Sequence, residues 1–191
     1  MFSYKGINGA GKTTMLGMLT AEFPSTSGDA ILDGFSVTSQ PELTRRKLGY
    51  CPQFDAHFTN MTGREHVELY ATIKGLPKDK IHDAASKKLL EVGLSEEDSD
   101  RLSSEYSGGM KRKLSVACAM IGNPRIMFLD EPSTGMDPVS RRGLWDVISK
   151  MVGSDDDPSR QASVILTTHS MEECKSSHFY IIFVVQCIFS S

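Results

Sequence analysis

Eight consecutive residues, Gly6-Ile7-Asn8-Gly9-Ala10-Gly11-Lys12-Thr13, follow the spacing G-x-x-x-x-G-K-T, a pattern suited to binding phosphate. Glycines admit positive φ, so successive backbone N–H groups can turn toward one anion. A helix opening directly after them adds a partial positive charge and unpaired donors. Lys12 is then placed to reach the β- and γ-phosphates of a nucleotide, and the Thr13 hydroxyl to ligate Mg2+. A second group, Ile126-Met127-Phe128-Leu129-Asp130-Glu131, is an apolar run ending in two acids. Ligands of open α/β sheets sit at the C-terminal ends of the strands. There Asp130 would hold Mg2+ directly or through water, and Glu131 would polarise an attacking water. The third group is Tyr106-Ser107-Gly108-Gly109-Met110-Lys111, ahead of an apolar helical stripe. It reads as a second anion-ready helix start or as a plain serine N-cap.

These groups need a scaffold that alternates strands and helices. The glycine-rich turn Gly6 to Gly11 opens a helix expected to end near Phe23-Pro24. Ala30 to Val37 reads as a short hairpin turning at Asp33-Gly34. Pro41 to Leu48 is a short helix with Arg45, Arg46 and Lys47 in its last turn, and Gly49 to Cys51 a brief strand. From Thr62 to Gly122 the pattern is helical, with stripes Ile81, Ala85, Leu89, Val92 and Met110, Leu114, Ala117, Ile121. Ile126 to Leu129 and Val164 to Leu166 read as strands buried on both faces, with a helix carrying Leu144, Ile148 and Met151 between them. Ser154 to Arg160 reads as a solvated connection, and the order implies an α/β fold with parallel crossovers.

The chain has 191 residues, 39% of them hydrophobic, with 21 basic and 24 acidic side chains and a net charge of −3. That is enough to bury a core and too apolar for a disordered chain. An acidic balance argues against a nucleic-acid partner, whose phosphates would need neutralising. The four cysteines, Cys51, Cys118, Cys174 and Cys187, lie far apart with no C-x-x-C pair, which points to neither zinc nor disulfides but to a reducing compartment. No signal peptide is visible at Met1 to Lys5, and the apolar run Phe179 to Phe189 is roughly half of the length that spans a membrane. His57, His66, His82 and His178 lack metal-ligand spacing, Trp145 reads as core, and Lys111-Arg112-Lys113 as a solvated helix face.

Taken together, the motifs resemble those of the nucleotide-binding domain of ABC transporters, subfamily A. They occur in order: the P-loop at Gly6 to Thr14, Gln53 in YCPQFDA, MTGREH from Met61 to His66, and the signature YSGGMKRKLS from Tyr106. Next come the Walker B group at Ile126 to Glu131, DEPSTGMDP with Asp137, and ILTTHSMEE with His169. The resemblance implies a P-loop NTPase (ABC ATPase) core with a parallel sheet and a helical signature subdomain at about residues 54–122, inside an ATP-binding domain spanning 1–174. It implies ATP and Mg2+ on Gly6, Ile7, Asn8, Gly9, Ala10, Gly11, Lys12, Thr13 and Thr14, with Thr13, Gln53 and Asp130 around the metal. Glu131 would be the general base or water orienter and His169 would contact the γ-phosphate. Ser107, Gly108, Gly109 and Asp137 would face the ATP of a second nucleotide-binding domain, head to tail. The implied function is ATP hydrolysis powering the movement of lipids or related amphipaths, the helical subdomain transmitting closure to transmembrane domains. The domain would then lie on the cytoplasmic side of the membrane that the parent transporter spans.

Two departures from the family pattern mark the ends. The family's upstream strands and adenine-stacking aromatic have no counterpart before Gly6, so the N-terminal β part is expected to be truncated. Phe2-Ser3-Tyr4-Lys5 is a poor buried strand, since lysine is seldom buried. Residues 175–191 read as an atypical apolar tail: a replacement strand or, as the preferred reading, translated non-coding sequence. The alternatives to a transport motor are a catalytically impaired fragment that binds nucleotide weakly and a soluble ABC ATPase outside transport.

Overall fold

A computed structural model of the chain describes residues 2–5, 11–152, 162–168 and 180–183, the first and last of these as backbone. In chain order its elements begin with β1 (Phe2–Lys5), α1 (Lys12–Leu19), β2 (Ile31–Leu32), β3 (Phe35–Ser36), α2 (Pro41–Lys47) and β4 (Leu48–Cys51). The helical part follows as α3 (Gly63–Ile73), α4 (Lys78–Glu91), α5 (Glu96–Ser99) and α6 (Gly108–Met120), and then β5 (Ile126–Asp130), α7 (Pro138–Val152), β6 (Ser163–Thr168) and β7 (Tyr180–Phe183). The sheet runs β4-β5-β6-β1-β7, and every pairing in it is parallel. Parallel strands end at a common edge, so Lys5, Cys51, Asp130 and Thr168 close their strands on the same side. Each is followed within two residues by a motif residue: Gly6, Gln53, Glu131 and His169.

The two faces of the sheet take alternate residues of β5. Phe128 packs with Leu16 of α1 and Leu48, with Ile126, Tyr50 and Ile165 beside them. Met127 and Leu129 turn to the other face, joining Val67, Leu89, Leu114, Leu144 and Leu166 in the main core. Met127, Phe128 and Leu129 are all fully buried, as a strand covered on both faces requires. Each side chain of this size contributes about 1.5–3 kcal/mol by leaving water.

Local rules account for most of the smaller elements. Asp33 and Gly34 take φ of 48° and 85°, the left-handed pair that a two-residue hairpin turn between β2 and β3 demands. Thr62 and Glu65 form a reciprocal capping box on α3, with Glu65 N–H donating to Thr62 Oγ1 at 3.1 Å and Thr62 N–H to Glu65 Oε2 at 2.7 Å. Two expectations change. Helix α1 stops at Leu19, four residues before Phe23, because Ala21 turns left-handed (φ 58°) and Phe23 folds back over Gly17. Strand β1 forms despite its lysine: its backbone pairs with β6 on one side and β7 on the other, which offsets a weak side-chain pattern. Within 175–191, Tyr180–Phe183 is a strand in register with β1, as its aromatic and β-branched residues favour. The connection Ser154 to Arg160 lies outside the described residues.

Close approach of backbones fixes how β4 meets α6. A Cβ at Gly49 would lie 2.1 Å from the Ala119 carbonyl oxygen and 2.9 Å from Pro124 Cγ. Gly49→Ala is therefore expected to destabilise the chain by about 2–3 kcal/mol, lowering the melting midpoint by roughly 5–10 °C. Thermal unfolding followed by circular dichroism checks this, and a wild-type midpoint would mean that β4 and α6 are not in such contact.

Candidate functional site

Helix α1 presents Lys12, Thr13 and Thr14 in its first turn. Gly11 precedes it at φ 84°, where any other L-residue would be strained, and it provides no side-chain cap to the helix. Lys12 is buried while Thr13 and Thr14 are exposed. Gly6, Ile7, Asn8, Gly9 and Ala10 lie outside the described residues, as does His169.

The first turn of α1 meets the end of β5. Thr13 Oγ1 donates to Asp130 Oδ2 at 2.8 Å, across 117 positions of sequence. The other oxygen of the same carboxylate accepts from Thr167 Oγ1 on β6. Asp130 is 1% exposed, so its charge acts in a poorly screened setting. Burial, with Asp130 adding to it, pushes the Tyr50 hydroxyl up to about 12. A hydroxyl and a carboxylate oxygen are hard donors of the kind Mg2+ prefers, and adjacent oxygens of an octahedral Mg2+ shell stand about 2.9 Å apart. The donor types and the separation of Thr13 and Asp130 therefore fit that ion.

Glu131 follows at φ 48°, a left-handed conformation that costs a non-glycine residue about 1–2 kcal/mol. Its N–H donates to both Thr167 Oγ1 (3.0 Å) and the Thr167 carbonyl (3.2 Å), and its Oε2 accepts from Thr134 Oγ1 at 2.9 Å. Buried and strained, the side chain is aimed by its surroundings rather than by its own preference. Gln53, two residues past β4, lines with Thr13 a cavity of about 800 Å³. Its carbonyl accepts from Arg112 Nη1 at 3.3 Å.

Arg112 overturns the reading of Lys111-Arg112-Lys113 as a solvated face, for it is 2% exposed. Near the start of α6, it points inward and its guanidinium spends its donors on backbone carbonyls of the loops after β4 and β5. Thr167 and Thr134 carry no sequence signal of their own, and Arg112 reads from sequence only as part of the solvated face. The usable signal for Arg112 is its stripe: Arg112, Ser115, Val116 and Ala119 share helical spacing, and all are buried.

Ser107 caps α6, its Oγ accepting from Met110 N–H at 3.3 Å, so the plain capping reading describes that side chain. Ser107 and Gly108 are exposed, and a Cβ on Gly109 would come within 3.8 Å of Ser140 Oγ. Asp137, also exposed, accepts from the N–H groups of Val139 (2.9 Å) and Ser140 (3.0 Å). The signature turn and Asp137 thus lie side by side at the surface, while Thr13 meets Asp130. Of the histidines, His66 is buried and bonded, donating from Nδ1 to the Thr62 carbonyl (2.7 Å) and accepting Phe58 N–H at Nε2 (2.9 Å). Burial lowers His57 to about 4. Trp145 is buried, and Cys51 and Cys118 are buried free thiols, burial pushing Cys51 up to about 11. Among the described residues no helix is long and apolar enough to cross a membrane.

A parallel sheet that sets a lysine–threonine helix start against a strand ending in Asp-Glu, with a helical subdomain between β4 and β5, defines a P-loop NTPase of the ABC ATPase type. Solved structures share this fold. A dimeric post-hydrolysis ATP-binding cassette, MJ0796, bound to ADP and Pi, superposes with a TM-score of 0.84 at 24% identity, over 96% of this chain and 80% of that one. An ATP binding subunit of an ABC transporter gives 0.78 at 26% identity, over 95% and 74% of the two chains. The sequence model of the ABC transporter family matches residues 3–134, and the chain belongs to that family. Relatives at 45–48% identity are of the A subfamily. The phospholipid-transporting ATPase ABCA3 of Rattus norvegicus is 47% identical over 92% of this chain, and ABC transporter A family member 2 of Arabidopsis thaliana 48% over 91%. The chain spans 10% of the former and 17% of the latter.

Proposed function

We propose that this chain is the ATP-binding and ATP-hydrolysing module of an ABC transporter that moves lipids or related amphipathic substrates across a membrane. The observation that carries the reading is the hydrogen bond of Thr13 to Asp130, which brings the two halves of a Mg2+-nucleotide site together. Gly6 to Thr14 hold the phosphates, with Lys12 on the β- and γ-groups, and Thr13 and Asp130 hold Mg2+ with Gln53 beside them. Bound by these residues, Mg2+ would offset the charge that develops on the phosphate oxygens. Glu131 orients the attacking water and takes its proton, and His169 contacts the γ-phosphate.

Ser107, Gly108, Gly109 and Asp137 face a second nucleotide-binding domain, a role supported by their common exposed face and by the dimeric state of the similar cassette. The cavity that Gln53 lines continues over Phe54, Tyr70 and Ile73, large apolar side chains left exposed on the loop after β4 and on α3. This surface receives the transmembrane domains, which hold the module on the cytoplasmic side of the membrane. Lipids as substrates rest on relatives that are phospholipid-transporting ATPases. Calorimetric titration of the chain with ATP tests the core of the reading. Binding in the micromolar range with Mg2+, weakening at least tenfold in EDTA, is expected; absence of a Mg2+ effect would refute the assigned site.

A further inference from the structure

We propose that Arg112 is a positioning residue of the hydrolysis site, holding Glu131 and the Gln53 loop in one fixed arrangement. The proposal rests on the roles proposed above for Glu131 and Gln53. The Arg112 guanidinium donates to five backbone carbonyls: Pro52 (2.6 Å) and Gln53 (3.3 Å) after β4, and Asp130 (2.6 Å), Glu131 (3.0 Å) and Pro132 (2.8 Å) at and beyond the end of β5. Among the described residues Asp55 is the one carboxylate paired with it, at 3.5 Å, and that group also accepts from Ser115 Oγ at 2.7 Å. A buried charge held mainly by carbonyl dipoles is unfavourable unless nearly every donor is used. Here the donors are used on the backbone of the two segments that bear Gln53, Asp130 and Glu131.

The consequence falls on Glu131. Its left-handed backbone is held from both sides, its N–H by Thr167 and its carbonyl by Arg112. Releasing the carbonyl lets residue 131 relax toward ordinary φ, which swings the carboxylate away from where Thr134 holds it. Arg112 lies four residues after Gly108, the first residue of α6, so the same side chain also ties the signature turn to the hydrolysis residues of its own domain. Lysine cannot replace it, because an ammonium offers three donors at one point where the guanidinium spreads five across a plane.

The test uses the full-length transporter with Arg112→Lys and Arg112→Gln, each alone and combined with Glu131→Gln, measuring kcat, ATP affinity and melting. We expect kcat to fall about thirtyfold or more in each single variant, with ATP affinity within threefold of wild type. If Arg112 acts through Glu131, adding Arg112→Lys to Glu131→Gln lowers the residual turnover no further. Equal fractional losses in both backgrounds would overturn the proposal, as would kcat, affinity and melting falling together. Arg112→Gln introduces no buried charge and serves if the lysine variant does not fold; failure of both to fold also overturns the proposal. Unchanged turnover in Glu131→Gln alone would instead remove the assigned role of Glu131, and the proposal with it.

Discussion

Glu131→Gln in the full-length protein is expected to cut ATP turnover about a hundredfold to ten-thousandfold, the range lost with a general base, while ATP binding stays near wild type. The structure makes this substitution clean. Glutamine keeps the volume of the side chain, and its carbonyl oxygen can accept from Thr134 Oγ1 as the carboxylate does. The bonds that hold residue 131 left-handed come from Thr167 and Arg112 to its backbone, so they do not depend on the side chain. What is removed is the negative charge and the capacity to take a proton. Steady-state phosphate release and equilibrium nucleotide binding on the same preparation separate the two effects. Turnover within threefold of wild type would place the base elsewhere.

Asp130→Asn is expected to erase the Mg2+ dependence of nucleotide binding and to lower turnover at least a hundredfold. The Asp130 carboxylate is 1% exposed and accepts from two hydroxyls, Thr13 Oγ1 and Thr167 Oγ1. An amide oxygen can accept from one of them, but its NH2 cannot, so the pairing around β5 is half kept. The charge is lost, and a neutral amide is a far weaker partner for a small, strongly hydrated cation. Binding of ATP should then be the same with Mg2+ and with EDTA, at the weaker wild-type value. A variant that kept a tenfold Mg2+ effect would show that the ion is held without Asp130. The pair of substitutions is also expected to divide the site: Asp130→Asn should change Mg2+-dependent binding as well as turnover, Glu131→Gln turnover alone.

Much of the scaffold was legible because its signals are local. The Asp33-Gly34 turn needs only two residues that tolerate positive φ, and both have it. The run Ile126 to Leu129 was readable as a strand covered on both faces because no polar residue interrupts it. The stripe Ala85, Leu89, Val92 was readable because its period is that of a helix. Where the reading failed, a distant partner had decided the matter. Helix α1 is shortened by Phe23 packing on Gly17, and β1 is held by neighbours at 163–168 and 180–183. The basic triplet hid Arg112, since three consecutive cations look alike in sequence and only the fold supplies five carbonyls on one side of the helix.

From the order of residues alone came the class of chemistry: a glycine turn with Lys12 and Thr13, an apolar run ending in Asp130-Glu131, and Ser107-Gly108-Gly109 at a helix start. Each is a short stretch whose backbone freedom, charge and donors belong to the residues themselves. Their meeting does not. Thr13 reaches Asp130 because parallel strands end at one edge with α1 packed on β5 through Leu16 and Phe128. Glu131 holds its strained φ because Thr167 and Arg112, 36 and 19 positions away, bond its backbone. Such contacts arise from which surfaces bury against each other, a property of the folded chain that no single segment encodes.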